Sequence, residues 1–346
     1  MPSRLRSPPR PGPPHVPVST FVTGDGDFRG LPANAPVRSV GRVIDVRNLS
    51  KRYGGTVAVD GLSFTVRPGR VTGFLGPNGA GKSTTMRMML DLDRPSAGRV
   101  LIGGRRYREL AEPLRHVGAL LDPGAVHGGR SAYHHLLWLA RANRIPATRV
   151  RRVLELTGLE GAAARRAEGF SLGMAQRLGI AAALLGDPPV LLFDEPTNGL
   201  DPEGVLWIRN LMRDLAAQGR TVLVSSHLMS ETALTAEHLV VIGRGRLLAD
   251  TTVREFVAAH ARSRVRIRTP EPERMRDALA AAGIQVRQAA DGALEAHGTE
   301  AAEVGELAAA GGLTVHEIGT ESASLEEAFL RLTGQAAEYR AGGASR

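Results

Sequence analysis

A strand, a glycine-rich turn and a helix follow one another directly in the stretch "RVTGFLGPNGAGKSTTMRMMLDL". The apolar run Val71–Leu75 predicts a buried strand, and the amphipathic residues after the turn predict a helix. The turn has the spacing of a phosphate-binding loop, set by Gly76, Gly81, Lys82 and Ser83. We therefore predict an α/β fold with an anion site at the carboxyl end of this strand.

The loop residues have separate expected roles toward a nucleoside triphosphate. Backbone N–H groups would point at the phosphates, Lys82 would neutralise the β- and γ-phosphates, and the Ser83 hydroxyl would bind Mg²⁺. A simple turn that closes a strand is the alternative, which the strand–loop–helix order disfavours. The residues expected to contact the nucleotide here are Gly76, Pro77, Asn78, Gly79, Ala80, Gly81, Lys82, Ser83 and Thr84.

Lysine is rare in this chain, since the 44 lysine and arginine residues include only Lys51 and Lys82 as lysines. Arginine has a rigid, planar fork, whereas a tightly closed phosphate loop suits a compact ammonium on a flexible stem. The lysine in the loop is thus consistent with phosphate binding.

A second apolar strand, in "PVLLFDEPTNGLD", ends in the adjacent carboxylates Asp194 and Glu195. Asp194 would hold Mg²⁺, and Glu195 would polarise a water for in-line attack on the γ-phosphate. A further strand, "RTVLVSSH", ends in His227, which would contact the γ-phosphate or order the water. Solvated acids and an ordinary hydrogen-bonded histidine are the alternatives. Together with the loop, these residues predict ATP hydrolysis.

The segment "FSLGMAQRLGIAAALLGDPP" stands directly before the acidic strand. Ser171 has the character of a helix cap, and Gly173 permits close backbone approach, so the helix predicted over 174–185 could offer N–H groups to an anion. Core packing is the alternative for a helix of this composition. Its place before the carboxylates favours an anion contact.

The order of these motifs over about residues 43–255 resembles the ATP-binding cassette (ABC) family. The resemblance implies a P-loop ABC ATPase domain with a mixed-sheet core, an antiparallel β subdomain and a helical subdomain. It also implies that Ser171 and Gly173 contact ATP bound to the opposing subunit of a homodimer, and that Asp201 in "GLD" belongs to the dimer-contact loop. Tyr53 in "KRYGG" matches the aromatic residue that stacks on adenine, and His227 matches the switch histidine.

Two departures from the family pattern affect the expected chemistry. Asp122, in "LLDPGAVH", stands where the family usually has a glutamine that touches Mg²⁺ and water. A carboxylate can bind Mg²⁺ but cannot donate a hydrogen bond as an amide does. Leu172 and Met174 replace the commonest glycine and glutamine of the signature, while Ser171 and Gly173 remain. We expect Asp122 to be a metal ligand and hydrolysis to be retained.

After about residue 258 the sequence changes character. "RSRVRIRT" places arginines 262, 264, 266 and 268 at alternate positions, which predicts a strand with one arginine face. An RNA-binding strip is the alternative to a solvated face, but no aromatic residues are interleaved for base stacking. The expected elements after this strand are a helix at 272–282, strands at 285–290 and 293–297, a helix at 300–310, a strand at 314–318 and a helix at 325–332.

That order is ferredoxin-like. It resembles the C-terminal appendage of drug and bacteriocin export ATPases, to which "SLEEAFLRLTG" is similar. We therefore expect a disordered Pro/Arg-rich extension at 1–42, an ABC nucleotide-binding domain at 43–258, a small α+β domain at 259–335 and a flexible tail at 336–346.

Composition bears on partners and location. The chain has no cysteine and no apolar run of about 18 residues that could span a bilayer. By resemblance, we expect a separate membrane permease, docking near residues 124–145, and a location at the cytoplasmic face of the membrane. The net charge of +9 includes six arginines and two aspartates in residues 1–42. The excess positive charge could serve solubility, attraction to an anionic membrane surface or binding of a nucleic acid.

The main rival is a soluble ABC ATPase that acts on ribosomes or DNA. A translation-type member would carry a second phosphate loop, yet no lysine follows Lys82. A chromosome-type member would need long coiled-coil arms, for which the segment before Ser171 is too short. A non-catalytic nucleotide sensor is disfavoured because Glu195 is present. An export ATPase for a drug-like or antibiotic compound, with no direct nucleic-acid contact, is the favoured interpretation.

Overall fold

The computed structural model describes residues 43–226, 229–260, 264–321 and 325–332. The expected extension at 1–42, the tail at 336–346, Arg262 and His227 lie outside these described residues. In chain order the elements up to residue 194 are β1 (Ile44–Tyr53), β2 (Thr56–Val66), β3 (Val71–Leu75), α1 (Lys82–Met89), β4 (Ala97–Ile102), β5 (Val117–Leu120), α2 (Ala132–Ala142), α3 (Thr148–Leu156), α4 (Leu172–Leu184) and β6 (Val190–Asp194).

The later elements divide between the central sheet and a second sheet near the end of the chain. They are α5 (Pro202–Ala217), β7 (Thr221–Ser226), α6 (Met229–Thr235), β8 (His238–Gly243), β9 (Arg246–Thr252), α7 (Val253–His260), β10 (Arg264–Arg268), α8 (Pro272–Ala281), β11 (Gln285–Gln288), β12 (Leu294–His297), α9 (Ala301–Ala310) and β13 (Glu317–Glu321). Residues 325–332 are also helical.

A six-stranded sheet in the order β5-β6-β7-β3-β8-β9 forms the centre of the larger part. Its strands run parallel except β9, which pairs antiparallel with β8. Every residue of β3, β6 and β7 is buried, as expected for parallel strands that are covered on both faces. The strands predicted before Gly76 and through Asp194 are therefore confirmed, and their carboxyl ends share one edge of the sheet.

A three-stranded antiparallel sheet, β2-β1-β4, packs against the central sheet. The two sheets share one apolar cluster with α1, in which the Phe64 and Phe74 rings lie 5.5 Å apart. Between β5 and β6 the chain forms α2, α3 and α4. The mixed sheet, the antiparallel sheet and these helices match the architecture implied by the resemblance.

Helix α4 begins at Leu172, two residues before its predicted start, because Ser171 is the N-cap and its hydroxyl accepts the Met174 N–H at 3.3 Å. On α2, Leu136 and Ala140 are buried, whereas Trp138 is 53% exposed. This helix thus contributes to the core on one side and presents an aromatic side chain on the other.

The C-terminal sheet has the order β11-β12-β10-β13, with all neighbours antiparallel. Helices α8 and α9 cover one face through an apolar cluster that includes Val265, Ile267 and Leu294. The predicted strand–helix–strand–strand–helix–strand order is confirmed. Since the two central strands are the first and third of the four, the sheet has the ferredoxin-like arrangement.

The predicted position of the last strand is wrong, because the strand lies at Glu317–Glu321 and not at 314–318. Pairing with β10 sets this register, since Glu317 lies opposite Arg268 and Glu321 opposite Arg264. Strand β11 also ends early, at Gln288. A tight turn closes the hairpin there, with Gly292 at a φ of 83°.

Candidate active site

The loop between β3 and α1 has a backbone path that requires glycine at two positions. Gly81 has a φ of 102°, and a Cβ there would lie 2.5 Å from the carbonyl oxygen of Ala58. A Cβ at Gly76 would lie 2.6 Å from the carbonyl oxygen of Ile242. Neither neighbour can move cheaply, because both contacts are with backbone atoms. The two ends of the loop are therefore packed against neighbouring backbone, while residues 77–79 remain exposed.

Lys82 is buried at the first turn of α1, and its ammonium donates hydrogen bonds to backbone oxygens of the loop. Nζ lies 2.6 Å from the Gly76 oxygen and 3.5 Å from the Pro77 oxygen. Burial lowers its pKa, and the nearby carboxylates of Glu195 and Asp194 act in the opposite direction. A buried ammonium whose hydrogen bonds go to carbonyl oxygens is well suited to receive an anion.

Asp194 and Glu195 lie at the end of β6, beside Ser225 of β7. The Ser225 hydroxyl donates to the buried Asp194 carboxylate and accepts the Glu195 N–H at 3.0 Å. Glu195 has a φ of 50°, an uncommon conformation for a residue other than glycine. Ser225 thus holds both acidic residues. Sequence reasoning missed Ser225, because it meets Asp194 only through the pairing of β6 with β7.

The segment beginning at Ser171 packs against the loop that follows Glu195. A Cβ added to Gly173 would lie 3.2 Å from the Gly199 oxygen, so these two backbone segments are close. Gln176 is buried, and its side-chain amide donates to the backbone carbonyl oxygen of Glu195 at 3.3 Å. Leu172, by contrast, is 58% exposed. The segment is anchored at one end and open to solvent at the other.

Tyr53, at the end of β1, is 48% exposed. Its hydroxyl donates to the Asp93 carboxylate at 3.1 Å, and Thr84 of α1 lies close to it. Desolvation, followed by the Asp93 carboxylate, raises the Tyr53 pKa. The ring therefore lies beside the loop, with a protonated hydroxyl.

The ABC transporter family matches residues 59–198. An uncharacterized ABC transporter ATP-binding protein, YhcH of Bacillus subtilis, is 36% identical over 305 residues, which cover 86% of this chain and 97% of that protein. The chain belongs to the ABC transporter ATP-binding proteins.

Two further ABC proteins extend the comparison. The bacitracin transport ATP-binding protein BcrA of Bacillus licheniformis is 40% identical over 60% of this chain and 69% of its own length. A solved ATP-binding subunit of an ABC transporter superposes with a TM-score of 0.58 at 27% identity, covering 63% of this chain and 92% of that one. Residues 263–326 match a separate family that is described only as a domain of unknown function.

As an ABC ATP-binding protein, the chain binds and hydrolyses ATP. The structure brings Lys82, Asp194 and Glu195 together, and places Tyr53 beside the same loop. Asp122 is exposed, and its carboxylate accepts the Gly124 N–H at 2.7 Å. Asp201 caps α5 by accepting the Gly204 N–H at 2.9 Å. Both carboxylates thus make local hydrogen bonds.

The donor atoms near Lys82 suit a hard divalent cation. Ser83, exposed in the first turn of α1, supplies a hydroxyl, and Asp194 supplies a carboxylate. Oxygen donors of this kind, few in number, are what Mg²⁺ takes from a protein when substrate phosphates complete its shell. Within the described residues, no three His, Cys, Asp or Glu side chains are grouped so that they could hold a metal ion.

Proposed function

We propose that this ATPase drives export of a drug-like or antibiotic compound through a separate membrane permease. The bacitracin transport protein among its relatives supports this class of cargo. The buried Lys82 ammonium beside two carboxylates is the observation that supports the catalytic role most strongly.

The positions of these side chains support a mechanism for hydrolysis. Lys82 would bind the β- and γ-phosphate oxygens in place of its present carbonyl contacts. Glu195 would accept a proton from a water that attacks the γ-phosphorus in line, as the bond to the bridging oxygen breaks and its electron pair leaves with ADP. Ser225 accepts the Glu195 N–H, and by fixing that backbone it would help to orient the carboxylate toward the water.

Ser83 and Asp194 would hold Mg²⁺, which when bound offsets the negative charge shared by the β- and γ-phosphates. Asp122 is a further proposed ligand. To reach the metal, its carboxylate would exchange the hydrogen bond with the Gly124 N–H for a metal contact.

We propose that two copies of the chain close around ATP. Ser171 and Gly173 would contact the nucleotide of the partner, with Asp201 at the contact between copies and His227 at the γ-phosphate. The exposure of Leu172 beside these residues supports a contact surface there, because a large apolar side chain at 58% exposure gains from being covered. ATP binding would close the pair and hydrolysis would reopen it.

The permease would bind at α2 and residues 124–145, at the cytoplasmic face of the membrane. Trp138 supports this site, because it is exposed beside the Arg130 guanidinium, 4.8 Å away, and both residue types are enriched at interface hot spots. No helix in the described ranges is long and apolar enough to cross a bilayer. We further propose the domain limits at residues 43–258 and 259–335.

The arginine strand β10 does not support the nucleic-acid alternative. Arg264 pairs with Glu321 at 2.8 Å, and Arg268 pairs with Asp291 at 2.7 Å and Glu317 at 3.1 Å. A face whose cations are already neutralised offers little attraction to phosphates.

The catalytic proposal is tested by Glu195→Gln. We expect ATP affinity within about twofold of wild type and turnover reduced by at least about 100-fold, because the amide cannot accept the proton of water. Calorimetric titration and phosphate release measure the two quantities, and Glu155→Gln on α3, an exposed carboxylate, is the control. Wild-type turnover in Glu195→Gln would contradict the proposal.

The transport proposal is tested by identifying the membrane protein that binds this chain. Purification from native membranes under mild detergent should recover an integral membrane protein with the wild-type chain, and less of it with Trp138→Ala. Recovery of only ribosomes or DNA would favour the soluble alternative.

A further inference from the structure

The two lysines of the chain lie at opposite ends of the candidate nucleotide site. Lys82 is in the phosphate loop, and the Lys51 ammonium lies 4.7 Å from the centre of the Tyr53 ring. Lys51 Nζ also donates to the Arg94 oxygen at 2.8 Å, which fixes the ammonium in place. An ammonium over a ring is a favourable cation–π contact, and it covers one face of that ring.

The edge of the same ring is held by a carboxylate. The Tyr53 hydroxyl and the Arg87 guanidinium both donate to one oxygen of Asp93, at 3.1 and 2.8 Å. The Arg87 contact, followed by the Tyr53 hydroxyl, lowers the Asp93 pKa, so the carboxylate stays ionised and continues to accept both bonds at neutral pH.

Two further hydrogen bonds, both donated by backbone N–H groups, join the same segments. The Ser96 N–H donates to the Ser50 oxygen at 2.8 Å, and the Arg52 N–H donates to the Ser96 hydroxyl at 3.0 Å. The end of β1 is therefore attached to residues 93–96, which follow the helix α1. Because α1 begins at Lys82 and contains Arg87, the phosphate loop and the Tyr53 ring are connected through one short helix.

We propose that Asp93 and Lys51 are positioning residues that fix the Tyr53 ring as a platform for the adenine base, with the base stacking on the face opposite Lys51. The proposal rests on the proposed function in one respect, namely that Tyr53 contacts the base. A ring that is already fixed loses little side-chain entropy when the base stacks on it, so the hydrogen bond to Asp93 contributes to ATP affinity through pre-organisation.

The test compares a ligand that has a base with one that has none. Binding of ATP and of inorganic tripolyphosphate is measured by calorimetry on the full chain carrying Asp93→Ala, Asp93→Asn, Tyr53→Phe or Tyr53→Ala. We expect Asp93→Ala and Tyr53→Phe each to weaken ATP binding about threefold to tenfold, the value of one hydrogen bond, and to leave tripolyphosphate binding unchanged. The double variant Asp93→Ala/Tyr53→Phe should bind ATP about as tightly as the single variant with the lower affinity, because both changes remove the same hydrogen bond.

Asp93→Asn should restore most of the ATP affinity, since its side-chain oxygen still accepts the Tyr53 hydroxyl. Removing Lys51 by Lys51→Met should weaken ATP about twofold to threefold and spare tripolyphosphate. The control is Asp45→Ala, which removes a carboxylate paired with Arg47 elsewhere on β1 and should change neither affinity.

The outcomes distinguish the positioning role of Asp93 from the contact between Tyr53 and the base. If Asp93→Ala weakens tripolyphosphate as much as ATP, Asp93 acts on α1 in general and the positioning role is overturned. It is also overturned if Tyr53→Ala weakens ATP while Asp93→Ala does not. If Tyr53→Ala leaves ATP affinity unchanged, the base contact itself fails, whereas the catalytic proposal stands on the Glu195→Gln result.

Discussion

The charged residues of the central sheet and those of the C-terminal sheet differ in the partners that they bind. At the carboxyl edge of the central sheet, Lys82 is bonded to backbone oxygens and Asp194 to a serine hydroxyl. On the C-terminal sheet, Arg264 and Arg268 of β10 are paired with the Glu321 and Glu317 carboxylates of the neighbouring strand β13. A buried ammonium that is hydrogen-bonded only to carbonyl oxygens is costly without an anion, whereas ion pairs that reach solvent contribute little to stability. The first arrangement suits ATP binding, and the second suits a structural role.

The largest effect should follow from removing the loop ammonium. Lys82→Ala should weaken ATP binding at least about 100-fold, because the phosphates lose a desolvated cation while the fold loses only two hydrogen bonds to carbonyls. Calorimetric titration measures the affinity, and Arg254→Ala, an exposed cation on α7, should bind ATP normally. Unchanged ATP affinity in Lys82→Ala would show that the buried ammonium does not bind the phosphates, and would contradict the contrast between the two sheets.

A smaller effect should follow from removing the hydroxyl that holds both acidic residues. Ser225→Ala should lower kcat about tenfold with little change in ATP affinity, because the Glu195 backbone loses a hydrogen bond in an unfavourable conformation. Ser63→Ala is the matched control, since the Ser63 hydroxyl also accepts an N–H and donates to a side-chain oxygen, in both cases of Asn48. Equal kcat values for the two variants would show that Ser225 only supports the fold.

The smallest effect should come from the C-terminal sheet. Arg268→Gln should shift the melting temperature by at most about 2 °C and leave ATP turnover unchanged, because exposed ion pairs contribute little to stability. A thermal melt and a phosphate-release assay measure both. A marked loss of turnover would mean that this sheet acts on the nucleotide site.

Local signals in the sequence predicted most of the central site. The phosphate loop, the strand ending at Asp194 and the cap at Ser171 each depend on neighbours a few residues apart, so their patterns are visible in one stretch of chain. The ferredoxin-like order near the C-terminus was visible for the same reason.

Contacts between distant residues could not be predicted. Ser225 meets Asp194 only through the register of two parallel strands, and Asp93 meets Tyr53 only after α1 has brought the chain back to β1. The register of β13 likewise depends on β10, which lies about fifty residues earlier. Such pairings are set by tertiary packing, which no short motif records.

The proposal of a site shared by two copies is tested most directly by mixing two inactive chains. Lys82→Ala removes the ammonium of the phosphate loop in its own copy. Ser171→Arg blocks the nucleotide site formed with the phosphate loop of the other copy. In a mixed pair, one site combines both defects and the other has neither, so a one-to-one mixture should hydrolyse ATP although each variant alone does not. A mixture as inactive as its two components, or full activity of Ser171→Arg alone, would contradict the shared site.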